Sequence, residues 1–357
     1  MSKFHSIKIA DIYKETKDCS VLSFEIPEEL KQEFQYKPGQ HLTLKATIDG
    51  EDVRRSYSLC SSPIENKWKV AVKKINGGLF STFINEKVKK GDSIEIMPPS
   101  GKFNVEIDTQ KAKNYIAFAA GSGITPILSI IKTHLKAEPN STFKLFYLNR
   151  SVKSIIFKEE IEQLKNLYFN RFEIFHFLTK EHRASELFNG RFTKEKIQVL
   201  TEKIIDIPAT DDCFICGPEE MIFLLRDELT AAGLDSDKIH YELFTSGISE
   251  EDKKRIQRIV ENKVNGTDIT IIDGGKEFHF VMDEAYDNIL DGALAAGADL
   301  PFACKGGVCS TCKCKVLEGE VEMKVNYALD AHEVAKGLVL SCQAVPTTDK
   351  VVVDFGV

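Results

Sequence analysis

The 357-residue chain has no long apolar run. Nothing in it approaches the roughly 18 uncharged apolar residues of a membrane-spanning helix, and the opening MSKFHSIKIADIYKE lacks the apolar stretch of a secretory signal. A cytoplasmic protein without membrane contact is the expectation. An excess of basic charge is missing too. Lys and Arg number 47 against 54 Asp and Glu, and the isoelectric point is near 5.7, which argues against a nucleic-acid partner. Internal repeats and low-complexity tracts are absent. One lack is local: residues 263–357 contain no Arg. They hold 8 Lys against 15 Asp and Glu, so the whole net charge of −7 falls there and the first 262 residues are neutral.

What the acidic end has in plenty is cysteine. Of the nine cysteines, Cys19, Cys60, Cys213 and Cys216 are scattered, while Cys304, Cys309, Cys312, Cys314 and Cys342 crowd together. In a reducing compartment, clustered thiols are more often metal ligands or redox groups than disulfides.

The chain changes grammar twice. Up to residue 108 it shows short β-rich runs such as CSVLSFEIP, HLTLKATIDG and WKVAVKKING, punctuated by Lys37-Pro38-Gly39, Asp49-Gly50 and Gly77-Gly78, as an antiparallel barrel would. Residues 109–245 alternate strand, turn and helix: NYIAFAA, GSGITP and ILSIIKTHLKAE, then FKLFYLNR with FKEEIEQLKNL, then CFICG with PEEMIFLLRDELTAAG. That order argues a parallel sheet with helices on its faces. Residues 246–265 are highly charged and read as a linker, partly helical. Residues 266–357 open with a hairpin turning at Gly274-Gly275, continue through a helical YDNILDGALAAG and the cysteine loop, and close on the strand VVVDF. The reading is a multidomain chain: barrel 1–108, α/β domain 109–245, linker 246–265 and a small β domain 266–357.

Cys304-x4-Cys309-x2-Cys312, followed after 29 residues by Cys342, is the spacing of a plant-type 2Fe-2S ferredoxin, whose fold is a β-grasp. Three thiolates from one tight loop and a fourth from elsewhere can surround a flat rhomb of two irons and two sulfides. Gly306 and Gly307 let the loop backbone come close and aim N–H groups at the sulfurs. The alternative is a zinc-stabilised interaction module, although structural zinc sites usually show paired short spacings. Cys314, two residues on, reads as a small core residue.

Arg55-Ser56-Tyr57-Ser58 ends a strand, and Gly77-Gly78-Leu79-Phe80-Ser81-Thr82 opens a helix about twenty residues later. The first offers a guanidinium for pyrophosphate, a phenol for a flavin face and the Ser58 hydroxyl; the second offers amides at a helix start. Gly121-Ser122-Gly123-Ile124-Thr125-Pro126 repeats that logic after a buried strand, suited to a dinucleotide pyrophosphate. It lacks the third glycine of the dehydrogenase fingerprint. Cys216-Gly217-Pro218 ends a later strand, and Glu242 lies in Tyr241-Glu242-Leu243-Phe244.

In that order these motifs resemble the ferredoxin-NADP reductase superfamily. The resemblance implies that Arg-Ser-Tyr-Ser and the Gly-Gly turn hold FAD, that GSGITP holds the nicotinamide dinucleotide, that the Cys216 thiol lies near the nicotinamide, and that Glu242 neighbours the flavin. Arg150 and Ser151, in a segment without an acid, favour a 2′-phosphate and hence NADPH over NADH. Hydride carriers move two electrons and iron–sulfur clusters one, so a flavin between them can take electrons in a pair and release them singly. The implied sequence runs from NADPH to FAD to the 2Fe-2S cluster to a partner, with Ser58, Cys216 and Glu242 as catalytic residues.

A C-terminal ferredoxin domain occurs in several oxygenase reductases. The close of the chain, KVNYALD through GLVLSCQA, together with its length, most resembles the reductase subunits of phenylacetyl-CoA epoxidase complexes. The implied acceptor is a di-iron oxygenase subunit that forms the ring-1,2-epoxide. Phthalate- or vanillate-type reductases of Rieske oxygenases and hybrid-cluster protein reductases share the module order and stay open as alternatives.

Overall fold

A computed structural model describes residues 4–244 and 250–357. Residues 4–53 and 57–244 make one compact unit and the described residues from 250 to 357 the body of a second. No described helix is long and apolar enough to cross a membrane.

The first unit begins with strands β1 (His5–Thr16), β2 (Cys19–Glu25), β3 (His41–Ile48), β4 (Glu51–Ser58) and β5 (Trp68–Lys73), helix α1 (Leu79–Glu86) and strand β6 (Ser93–Ile96). They form a six-stranded sheet in the order β4-β3-β6-β1-β2-β5. Leu59, just past β4, bridges antiparallel to Val70 of β5, so the two edges meet and the sheet closes into a barrel. Alternation supplies the filling: Ile7, Ile9, Leu22, Leu42, Leu44, Val70 and Val72 point inward and are fully buried. Trp68 caps the core, its indole donating to the Phe34 carbonyl at 2.7 Å.

The same unit continues with β7 (Asn114–Ala120), α2 (Ile124–Ala137), β8 (Thr142–Asn149), α3 (Lys158–Leu167), β9 (Phe172–Leu178), α4 (Lys194–Lys203), β10 (Asp212–Gly217), α5 (Glu219–Ala231) and β11 (Ile239–Leu243). The sheet order is β11-β10-β7-β8-β9, parallel throughout. The central strand β7 is buried from Tyr115 to Ala119, as a strand covered by helices on both faces must be. The chain leaves β7 first toward β8 and later returns on its other side as β10. The topological switch therefore lies between β7 and β10, where α/β sheets open a binding crevice at their carboxyl ends.

In the second unit, α6 (Glu250–Glu261) precedes β12 (Asp268–Asp273), β13 (Lys276–Val281), α7 (Ile289–Ala295), β14 (Lys313–Glu318), β15 (Val321–Met323), α8 (Ala331–Ala335), β16 (Leu338–Leu340), β17 (Ala344–Pro346) and β18 (Lys350–Asp354). The main sheet runs β13-β12-β18-β14-β16, with β15 and β17 paired apart. Parallel pairing of β12 with β18 at the centre and a helix against the sheet make a β-grasp. The hairpin of β12 and β13 turns at Gly274-Gly275, with Asp273 opposite Lys276. Most of the stretch read as a linker is the helix α6, and its first residues, 246–249, lie outside the described residues. Ile259 is buried, and Arg255 donates to the Met323 carbonyl at 3.2 Å. The helix thus packs on the β-grasp. The Cys314 side chain is buried in the same core.

Candidate functional site

The first constellation stands at the switch point. Ser58, the last residue of β4, is 4% exposed and donates its hydroxyl to Glu242 Oε2 at 3.1 Å. Glu242 lies on β11 in register with Cys216 of β10, so sheet pairing alone sets the carboxylate beside the thiol. Burial, and then the charge of Glu242, push the Cys216 thiol well above its ordinary value. It is a neutral, wholly buried S–H. Ser58, Cys216 and Glu242 come from three strands in two sheets and meet in one place.

Two further residues join them to which sequence reasoning assigned no role. His41, at the start of β3, holds its Nδ1 3.8 Å from Glu242 Oε1. Its Nε2 is 3.1 Å from the Ser100 hydroxyl. A chain of polar groups runs Ser58, Glu242, His41, Ser100. Its only sequence signal was position: His41 follows the Lys37-Pro38-Gly39-Gln40 turn, and Ser100 lies in the Met97-Pro98-Pro99 turn.

The flavin-binding candidates fall around the end of β4 and the start of α1. Arg55 is exposed, and Ser56 and Tyr57 are half-buried. The Tyr57 ring lies 6.0 Å from Phe80 at 30°. Gly77 and Gly78 lead into α1, whose N-cap Gly78 makes no side-chain cap. The amides of Leu79 and Phe80 therefore point out of the helix start, as an anion requires. Ser81 turns inward: its hydroxyl accepts from Ile75 N at 3.1 Å and donates to the Gly78 carbonyl at 3.3 Å, closing the loop. Thr82 makes the first helical bond, to Gly78.

At the nicotinamide end, Gly121, Ser122 and Gly123 form one tight turn between β7 and α2. The Thr125 hydroxyl donates back to the Ser122 carbonyl at 3.0 Å. Pro126 sits in the first turn of α2, where its missing N–H has no intrahelical partner to lose. A Cβ at Gly123 would lie 2.2 Å from the Cys216 carbonyl oxygen. The glycine is thus what lets this turn press against Cys216-Gly217, which Pro218 follows as the N-cap of α5. Arg150 is exposed at the end of β8, and Ser151 and Ser154 cap each other. The structure adds an acid to this loop from a distant segment: Glu181 Oε2 accepts from Val152 N at 3.1 Å.

The second constellation lies in the β-grasp. Among the described residues no group of three or more His, Cys, Asp or Glu side chains is arranged to hold a metal ion as it stands. The ligand candidates stand instead as two pairs. Cys309 donates to Cys304 across 3.2 Å between sulfurs, while Cys312 and Cys342, whose segments meet where Ser341 N donates to the Cys312 carbonyl at 3.0 Å, push each other's thiols in opposite directions. Two pairs of thiols suit a two-iron rhomb, in which each iron takes two thiolates. The Cys304 sulfur also accepts from Gly306 N at 3.3 Å. The bond from Cys309, and then backbone amides, hold the Cys304 thiol well below its ordinary value. Donors already turned toward a ligand sulfur are what an anionic cluster needs.

Comparison with known proteins finds a family model for each part of the chain. A model of an oxidoreductase FAD-binding domain matches residues 6–105, one of an oxidoreductase NAD-binding domain residues 118–227, and one of a 2Fe-2S iron-sulfur cluster binding domain residues 271–347. The chain is a modular oxidoreductase, the reductase component of a multicomponent oxygenase. It belongs to the family of a 1,2-phenylacetyl-CoA epoxidase subunit of Escherichia coli (strain K12), with which it is 42% identical over 355 residues, covering 99% of this chain and 98% of that one. The ferredoxin reductase component of 3-ketosteroid-9-alpha-monooxygenase from Rhodococcus rhodochrous is 32% identical over 356 residues, 98% of this chain and 96% of that one. Among solved structures, phthalate dioxygenase reductase shares the fold along 99% of this chain and 98% of its own, at a TM-score of 0.59 and 24% identity.

Proposed function

We propose that this chain is the reductase of a cytoplasmic phenylacetyl-CoA epoxidase complex, carrying electrons from NADPH through FAD and a 2Fe-2S cluster to the di-iron oxygenase subunit that forms the 1,2-epoxide. The observation that carries the reading is the end-to-end 42% identity with a component of such an epoxidase. Bound flavin supplies the conversion of a two-electron donor into two single electrons. The chain's own residues supply the rest. The bond from Ser58 to Glu242 supports a role for that pair at the reactive end of the flavin, the hydroxyl held in one orientation by the carboxylate. The neutral, buried Cys216 suits a surface for the nicotinamide ring and not a nucleophile. Amides at the starts of α1 and α2 are suited to two pyrophosphates. Arg150 favours a 2′-phosphate, and the Glu181 carboxylate that shares its loop is engaged by the Val152 amide.

Reconstitution tests the reading. The purified chain, loaded with FAD and cluster, is mixed with phenylacetyl-CoA epoxidase oxygenase subunits and scored for epoxide with NADPH and with NADH. NADPH-dependent product is expected, with the larger kcat/KM for NADPH. Cofactor oxidation with an artificial acceptor but no product would leave the reductase chemistry and remove the proposed partner.

A further inference from the structure

Three of the four thiols share one loop and the fourth comes from a segment 30 residues on, and one side chain bridges the two segments. Gln343 follows Cys342 directly and is 5% exposed. Its Nε2 donates to the Lys305 carbonyl at 2.9 Å and to Cys342 Sγ at 3.4 Å. A carboxamide nitrogen carries two hydrogens, so both acceptors are served at once. The glutamine backbone is anchored from both sides: its N–H donates to the Leu340 carbonyl at 2.8 Å, and its own carbonyl accepts from Lys324 N at 2.9 Å.

The carbonyl it grips belongs to a strained residue. Within the loop from Cys304 to Cys312, Lys305 alone among the non-glycine residues has a left-handed backbone, at φ +52°. Such a conformation persists where surrounding contacts enforce it. The Lys305 ammonium is itself tied to Asp291 Oδ1 at 2.6 Å. Gly307, two residues on, has φ +72°, and a Cβ there would lie 3.2 Å from Gln343 Cγ. The glutamine thus lies across the loop that carries three ligands while its amide reaches the sulfur of the fourth.

We propose that Gln343 ties the ligand loop to the fourth ligand and, through its bond to the Cys342 sulfur, raises the reduction potential of the cluster. Reduction adds one electron and one negative charge to the cluster and its thiolates, with no bond or proton exchanged with Gln343. An N–H aimed at a thiolate sulfur stabilises the more negative form, so its loss makes the cluster harder to reduce. The role is one of positioning and tuning, since the glutamine supplies no ligand.

The experiment uses the full chain as wild type, Gln343→Leu and Gln343→Glu, each checked for iron and acid-labile sulfide and then titrated potentiometrically with detection of the reduced cluster by EPR. Leu removes the donor and is expected to weaken electron uptake about tenfold, which is 59 mV for a one-electron couple. Glu sets a carboxylate beside the sulfur and is expected to lower the potential further. The Leu variant should also lose its cluster to a chelator faster than wild type. Equal potentials in wild type and the Leu variant overturn the proposal. So does faster cluster loss with no change in potential, which reduces Gln343 to a strap. If neither variant holds cluster, the wild type decides alone: labelled with ¹⁵N-glutamine and reduced, it must show hyperfine coupling from a side-chain amide nitrogen, and its absence overturns the proposal.

Discussion

Ser58 is a small residue with a large geometric burden. Its hydroxyl donates to Glu242 Oε2, and Glu242 in turn faces His41. The orientation of the hydroxyl therefore depends on a carboxylate held by sheet register with Cys216. Replacing Ser58 by Ala leaves the barrel wall intact, because only one buried oxygen is removed. It strips the proposed flavin site of the hydroxyl that Glu242 holds in place. Misplacement of reacting partners by an ångström costs on the order of 10²-fold in rate. Flavin bleaching by NADPH, followed by stopped flow, should slow by roughly that factor in Ser58→Ala, with flavin content and melting temperature close to wild type. A wild-type rate would remove Ser58 from the reaction.

At the scale of elements, the junction of the β7–α2 turn with the end of β10 is built from backbone on both sides. A Cβ at Gly123 would stand 2.2 Å from the Cys216 carbonyl oxygen, and no flexible side chain is there to yield. Gly123→Ala must push the turn away from Cys216, at a cost of roughly 1–3 kcal/mol for overpacking. NADPH affinity measured by calorimetry is expected to fall at least tenfold, with a lower melting temperature. Unchanged affinity would show that the turn can shift without consequence for the dinucleotide.

The same elements show what the sequence made legible. The run Tyr115–Ala119 followed by a glycine turn admitted one reading, since a continuous apolar strand ending in a helix start is a parallel-sheet signature. The Gly274-Gly275 hairpin was readable because its two-residue loop fixes register locally. The short strands β15, β16 and β17 were not: each has three residues and is held by pairing with a remote partner. Helix α6 was read in part, as helical character within a charged linker; its packing on the β-grasp was not, because Ile259 is its single buried large apolar anchor among the described residues. The roles of His41, Ser100, Glu181 and Gln343 were missed for one reason. Each acts across a tertiary contact, and no local pattern in a single sequence announces such a meeting.

For the molecule as a whole, charge is the organising quantity. The first 262 residues are neutral and the remaining 95 carry −7. The acidic part is also the one that holds the electron-delivering cluster. Association steered by such a charge weakens as salt shortens the Debye length from about 10 Å at 0.1 M to about 3 Å at 1 M. Electron delivery to the oxygenase should therefore slow as ionic strength rises, while NADPH-driven flavin reduction in the same protein changes little. A delivery rate indifferent to salt would make the acidic excess a matter of solubility.

The pairing of Cys312 with Cys342 has a consequence for biosynthesis. Between the two lie β14, β15, α8 and β16, so the two thiols, Cys312 and Cys342, leave the ribosome 30 residues apart. A nascent chain can present the three-thiol loop early but not the finished site. If all four thiols are needed to hold it, a cluster would be retained only once those strands have paired. Cluster occupancy in a cell extract would then serve as a census of completed β-grasp domains, independent of how much polypeptide has been made.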